Sequence, residues 1–425
     1  MTLQQLLLTR TAMLDGGMGT LLQQKGLRPG ERPERWCVTH PEEIISIHRA
    51  YLESGSDMVC TNTFSANLLH YEAEELREIV FSAVSCARKA AEGMEDKFVL
   101  LDMGPSGKLL APLGDLPFED AVSLFAHTVR LGVEAGADGI LIETMTDSYE
   151  TKAALLAAKE NSTLPVIVTN AYGSDGKLMT GATPGAMVAM LEGMGVTALG
   201  ANCSLGPDLL APVVEELLAC ASVPVVVKPN AGLPVLQDGK TVYNLSPEEF
   251  AEATADFVRR GVRCVGGCCG TTPGYIKALH TAIQGIPCKE LTQKNLTVVS
   301  SYTHAVTFGD TPLLIGERIN PTGKKRLKQA LLEGDMEYVL GEGTAQQEAG
   351  AHILDVNVGL PGIHEAETLC NAVKELQAVT NLPLQIDTAD PAAMEKALRI
   401  YNGKPWVNSV NGKTESMDAV LPLVQ

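Results

Sequence analysis

The sequence predicts an α/β protein: a (β/α)8 barrel over residues 1–285, a linker at 286–311, and a second, incomplete (β/α) barrel over 312–425. Three observations predict it. From Met13 onward, short apolar or β-branched runs alternate with longer segments of helical periodicity. Eight such pairs fill about 285 residues, the count and length of a closed barrel of parallel strands. Polar and cysteine residues gather where the runs end, and in a barrel those ends form one rim, where chemistry sits. A doubly wound open sheet is the alternative, but it would usually stop at about five to seven strands.

In order, the strands fall at 13–17, 57–63, 98–103, 139–144, 165–171, 197–203, 224–230 and 262–268. Runs such as Val166, Ile167, Val168 and Val225, Val226, Val227 are β-branched throughout, as strands favour. Helical periodicity marks 41–54, 72–92, 118–135, 148–160, 183–194, 207–219, 246–259 and 273–284. The strands end at Asp15, Asn62, Asp102, Glu143, Asn170, Asn202, Cys203, Asn230, Cys268 and Cys269. Any one of these reads as a turn or cap residue. Together on one rim they read as a site.

After Gly285, Ile286 and Pro287 the rhythm breaks, and the polar stretch from Lys289 to Gly309 has no sustained helical period. It then restarts: strand 312–318, helices within 324–333 and 336–349, strand 352–358, helix 364–379, strand 383–388, helix 391–401 and strand 405–410. The chain stops at Gln425, where a fourth helix is expected. Half a barrel leaves strand edges unpaired and an apolar inner face open. The second module thus reads as cut short, or as needing a partner to complete it.

Composition narrows the function. A net charge of −18 disfavours nucleic acid, which needs a basic patch to displace phosphate counterions, and 4% aromatic residues leave little for base stacking. No apolar stretch approaches the roughly 18 residues of a membrane span, and the first residues lack the basic start and apolar core of a secretion signal. Ten irregularly spaced cysteines are too dilute for a disulfide framework. A cytoplasmic setting is expected, where clustered thiols mean metal or catalysis more often than crosslinks.

Cys203 ends the sixth strand, and the adjacent Cys268 and Cys269 end the eighth, so the three can meet above the seventh. Consecutive strand residues point to opposite faces, so both members of the pair reach one ion only if the backbone turns, which Gly266, Gly267 and Gly270 permit. Three thiolates favour zinc, whereas an iron–sulfur cluster would usually take a fourth cysteine. Asn230, at the end of the seventh strand, is a candidate weak oxygen ligand in the resting state. No fourth cysteine or histidine lies at a strand end, which disfavours a closed structural site. The other seven cysteines read as small buried hydrophobes. An open zinc with three thiolates carries net charge −1 and activates water poorly. It suits a thiol substrate, lowering a thiol pKa of about 8.5 toward neutrality. That chemistry is alkyl transfer onto sulfur, with Asp15, Asn62 and Glu143 available for a substrate ammonium.

These residues carry a resemblance. The runs Leu14–Thr20 and Thr61–Phe64, the strand end Ile142–Thr144, the pair Asn202–Cys203 and the run Gly266–Gly270 resemble the homocysteine S-methyltransferase family over about residues 10–285. The resemblance implies zinc on Cys203, Cys268 and Cys269, with Asp15 and Glu143 gripping the amino-acid end of homocysteine. The second module is similar to pterin-binding barrels in Gly316–Gly323, Asp355–Gly359 and Ile386–Thr388. That similarity implies 5-methyltetrahydrofolate on Asn320, Asp355, Asn357, Asp387 and Asn408. Thr388 stands where that family has serine. A homocysteine module followed by a folate module is the order of cobalamin-dependent methyltransferases, whose corrinoid shuttles the methyl group on a later domain. Nothing in the chain resembles that domain, so cobalamin and a corrinoid-binding domain or protein are implied by resemblance alone. Two other readings stand beside this one: a stand-alone enzyme using betaine or S-methylmethionine, and a non-catalytic zinc-binding barrel. The second leaves Asp15, Asn62 and Glu143 without a role.

Overall fold

A computed structural model describes residues 1–237 and 240–424, which fall into two compact units. The first comprises Met1–Met179 and Val196–Lys294, the second Thr180–Gly195 and Asn295–Gln425.

The first unit contains eight parallel strands: β1 Ala12–Met13, β2 Met58–Cys60, β3 Phe98–Met103, β4 Gly139–Met145, β5 Val166–Asn170, β6 Ala198–Asn202, β7 Val225–Lys228 and β8 Cys264–Val265. Each pairs with the next in chain order from β2 to β8, and β8 pairs with β1. The remaining seam is closed by Asp57, whose amide donates to the Met13 carbonyl (2.8 Å) while its carboxylate accepts from the Met13 amide (2.9 Å). The result is the near-closed α/β barrel the sequence predicts. β1 and β8 are shorter than expected because the backbone leaves the ladder at the glycines beyond Leu14 and Val265. The Gly267 amide still donates to the Asp15 carbonyl (2.9 Å), so the two loops stay joined.

Period-2 alternation divides each strand between helix-facing and barrel-facing side chains. Leu14, Cys60, Leu100, Leu141, Ile167, Ala198, Val226 and Cys264 form one buried apolar cluster inside the barrel. A short helix absent from the sequence reading, Leu3–Thr9, adds Leu3, Leu6 and Leu7 to it. Its Thr2–Gln5 capping box satisfies the Thr2 and Gln5 amides reciprocally. The helices at 41–53, 73–90, 118–135, 148–161, 207–220, 247–260 and 273–283 follow the expected segments closely. Among the described residues no helix is long and apolar enough to cross a membrane.

His48, on the helix Pro41–Glu53, is fully buried, and neither ring nitrogen has a hydrogen-bond partner. Burial pushes its pKa down to about 4 from 6.5. The unfolded chain therefore takes up a proton that the folded chain refuses, and stability from this group is lost as pH falls from about 6.5 toward 4. His48→Leu should remove that loss, worth about 3 kcal/mol by pH 4. Burial pushes Asp15 up to about 6, which acts in the opposite direction over the same window. The readout is therefore the wild-type-minus-variant difference in urea unfolding at pH 7 and pH 4.5. A difference that does not change with pH rejects the assignment.

The second unit holds a four-stranded parallel sheet with strands at 315–319, 353–356, 384–387 and 406–408, paired in chain order. Helices run at 325–333, 336–348, 365–379, 391–400 and 414–424. This is four of the eight strands a barrel takes, as expected of an incomplete one. The stretch 286–311, read as a linker, is not structureless. It carries an antiparallel hairpin, Thr297–Ser300 with Ala305–Phe308, which belongs to this unit. The helix Pro184–Gly193 also groups here, and the Thr183 amide donates to the Thr303 carbonyl (2.8 Å). Its strands are only four residues long, too short for a periodic signal, and only Val299 and Ser300 among them are buried.

Candidate metal centre

The sulfurs of Cys203, Cys268 and Cys269 lie within 4.8 Å of one another at the C-terminal ends of β6 and β8. The Cys203 and Cys269 Sγ atoms are 3.9 Å apart. Two thiolates bound tetrahedrally at about 2.3 Å to one zinc would be about 3.8 Å apart, so the spacing fits that ion. Hydrogen bonding with Cys203 and Cys269 holds the Cys268 thiol above its ordinary value, while the same contacts pull Cys269 below it. Three sulfurs that share protons in this way are a soft donor set for a divalent metal.

Local backbone strain builds the triad. Cys203 and Ser204 take left-handed conformations (φ 60° and 56°) without being glycine, the kind of strain that concentrates at functional sites. At the other end, Gly270 is left-handed (φ 81°), and a Cβ on Gly267 would lie 2.3 Å from Thr271 Oγ1. These glycines let the chain turn so that Cys268 and Cys269 face one centre. The Cys268 amide donates to the Pro229 carbonyl (2.9 Å), and the Thr271 hydroxyl donates to the Cys268 carbonyl (2.7 Å). Asn230, the candidate fourth ligand, accepts from the Cys269 amide through Oδ1 (3.1 Å), so it orients the cysteine loop here.

Two further residues, the strand-end Asn202 and Tyr243, also support the triad. Asn202 accepts from the Thr144 amide and the Thr169 hydroxyl (2.8 Å each), and its Nδ2 lies 3.8 Å from Cys268 Sγ. It thereby ties the left-handed Thr144 (φ 62°), next to Glu143, to the thiol triad. Tyr243 packs across Gly270, and its proximity helps hold the Cys269 thiol below its ordinary value. It lies on a hairpin after β7, Pro234–Gln237 with Lys240–Tyr243, that the sequence reading did not register.

A charged layer lies over the apolar cluster within the barrel. Lys228 Nζ lies 2.7 Å from Glu143 Oε2 and 3.9 Å from Asp15 Oδ1. Lys228 and Asp15 are each only 3% exposed. Asp15 Oδ2 accepts from the Cys60 amide (2.8 Å). Burial raises the Asp15 carboxyl to about 6, against the opposing pull of Lys228 and that amide. Burial disfavours the Lys228 charge, but Cys60, Glu143 and Asp15 outweigh it and hold the ammonium above its ordinary value. The structure thus brings Asp15 and Glu143 together around a lysine that sequence reasoning passed over. The signal was present: a lone lysine ending the run Val225–Val227 on a strand buried in the barrel. Asn62 is placed differently, its Nδ2 donating to the Pro33 carbonyl (2.8 Å) and lying 3.5 Å from Cys37 Sγ. Those contacts fasten the 33–39 segment.

In the second unit, Asn357 Nδ2 donates to Asp387 Oδ2 (3.0 Å), and Gln385 donates to Asp355. Burial pushes the Asp355 carboxyl up to about 6 against the Gln385 hydrogen bond. Asn320 Oδ1 caps the Thr322 amide (3.0 Å), and Asn408 stands opposite Asp387 in the strand register. Thr388 donates to Glu365, which shows that a threonine hydroxyl is accommodated there.

The family model for Homocysteine S-methyltransferase matches residues 12–283, and that for Pterin binding enzyme matches 316–425. The chain is 33% identical to a methionine synthase of Mycobacterium leprae over 438 aligned residues, covering 96% of this chain and 36% of that protein. It is 34% identical to the methionine synthase of Mycobacterium tuberculosis, covering 95% of this chain and again 36% of the relative. The chain therefore spans about a third of the length of these curated relatives. Among solved structures, the oxidized homocysteine methyltransferase MmuM from Escherichia coli superposes with a TM-score of 0.55 at 24% identity, over 64% of this chain and 95% of that one. That likeness supports the barrel fold. With 12–283 matched and its three thiols converging on one rim, the chain belongs to the homocysteine S-methyltransferase family.

Proposed function

We propose that the first module, 1–285, binds homocysteine between the thiol triad and the buried acids, and that the chain is the front part of a cobalamin-dependent methionine synthase. The observation that carries this reading is the convergence of three sulfurs within 4.8 Å on the rim of a barrel whose mouth holds Asp15 and Glu143. Cys203, Cys268 and Cys269 would hold the zinc, and Asn230 would position the loop that carries two of them. Zinc held there lowers the pKa of a substrate thiol so that it is nucleophilic near neutral pH. Asp15 and Glu143 hold the substrate ammonium, which fixes the sulfur's distance from the rim. The layer beneath them excludes water from below.

The methyl group in this reading comes from methylcobalamin on a corrinoid-binding domain or protein, and none of the residues assigned here holds a corrinoid. The second module, 312–425, would contribute the folate side: Asp355, Asn357 and Asp387, which interlock across neighbouring strands, with Asn320 and Asn408 flanking them, for 5-methyltetrahydrofolate. The match of 316–425 to pterin-binding enzymes favours this over a stand-alone enzyme using betaine or S-methylmethionine. A donor comparison separates the two. The zinc-loaded chain with homocysteine should form methionine from free methylcobalamin and none from betaine or S-methylmethionine. The reverse preference rejects the proposal.

A further inference from the structure

The charged layer in the barrel mouth is incomplete. Strand alternation continues the inward-facing positions Leu100, Leu141 and Val226 to Asp102, Glu143 and Lys228 two residues later. Asp102 therefore joins Asp15 and Glu143, giving three carboxyl groups around Lys228. Among the described residues, Asp15 Oδ1 and Asp102 Oδ1 are buried side-chain oxygens with no hydrogen-bond partner, the first meeting only the Lys228 ammonium at 3.9 Å. Asp102 is 7% exposed and Asp15 3%, so water does not satisfy them cheaply. Buried carboxyl oxygens without donors are costly, and two in one mouth call for a ligand that supplies the donors.

The ligand's chemistry follows from that deficit. Burial, with Glu143 close by, holds the Asp102 carboxyl well above the ordinary carboxylate range, so three carboxyl groups share one ammonium and the layer is short of positive charge as well as of N–H donors. A primary ammonium supplies both: one charge and three N–H bonds. We propose that Asp102 is a specificity-determining residue that completes, with Asp15 and Glu143, a three-acceptor cage for the primary ammonium of the substrate. Lys228 is the fixed counter-ion that holds Glu143 in that cage. This rests on the reading of the first module as a homocysteine site and adds a residue and a selectivity to it: the cage admits –NH3⁺ and rejects an N-alkylated amine, which lacks one donor.

Calorimetry on the zinc-loaded full chain tests it with three thiols: homocysteine, 4-sulfanylbutanoate, which lacks the amine, and N-methylhomocysteine. The wild type should bind homocysteine at least about tenfold more tightly than either analogue. Asp102→Asn should shrink the preference over 4-sulfanylbutanoate by about tenfold while leaving 4-sulfanylbutanoate affinity unchanged. An unchanged preference, or tighter homocysteine binding, in Asp102→Asn overturns the proposal. Equal binding of N-methylhomocysteine and homocysteine by the wild type overturns it without any variant, so a poorly folding substitution does not protect it. If the wild type binds no homocysteine at all, the underlying functional reading fails instead.

Discussion

Cys268→Ser is expected to strip zinc from the first unit and with it homocysteine binding, while the barrel stays folded. The substitution changes one atom at a position where Asn202 Nδ2 already lies 3.8 Å from the sulfur, so a hydroxyl is accommodated without a cavity. What it removes is one of three soft donors. Serine's hydroxyl stays protonated at neutral pH and does not replace a thiolate. Losing a supporting residue outside the ligand set typically costs about 10–100-fold in metal affinity, and losing a ligand should cost at least about 100-fold. After dialysis against a mild chelator, metal analysis should find zinc in the wild type and none in the variant. Homocysteine affinity should collapse in parallel, and circular dichroism should be unchanged. Cys370→Ser, a half-buried thiol of the second unit, should keep zinc and serves as the control. Zinc retained by Cys268→Ser, with homocysteine bound as in the wild type, would sink the triad as the metal centre.

The barrel was legible because its signals are local. Runs such as Val225–Val227 and the periodic helices after them need no knowledge of their neighbours, and the strand order follows from chain order once a barrel is assumed. The cysteines were legible for the same reason: being at strand ends places them on one rim whatever the side-chain detail. What depends on side-chain direction was not legible. Asn62 stands at a strand end like Asp15, but it faces the 33–39 segment. Lys228 looks like any strand-end lysine until its neighbours are known to be Glu143 and Asp15, brought together from 85 and more residues away. Tyr243 reaches Cys269 only because the hairpin after β7 folds back over Gly270. Pairings at such separations are set by tertiary packing, which no short window of sequence contains.

Lys228→Met should be among the most destabilising single changes in the first unit, and its cost should grow with pH. Methionine replaces the lysine stem closely, so little packing is lost, but Asp15 and Glu143 are left buried without their cation. Breaking one side of a buried ion pair costs about 3–5 kcal/mol. The wild-type Asp15 carboxyl already stands at about 6, raised by burial and restrained by Lys228. Removing that restraint raises it further. A carboxyl whose folded pKa exceeds its unfolded value loses stability as pH rises, beginning above the unfolded value of about 3.9 and continuing up to the folded one. The variant should therefore fall further behind the wild type at pH 8 than at pH 5, where protonation relieves the unpaired charge. Urea unfolding of the full chain at the two pH values gives the comparison. An equal loss at both would mean that Lys228 acts through its stem and not its charge. Asp15→Asn placed on Lys228→Met should then recover part of the loss at pH 8, because the double variant buries one fewer charge, whereas a packing defect would add to it.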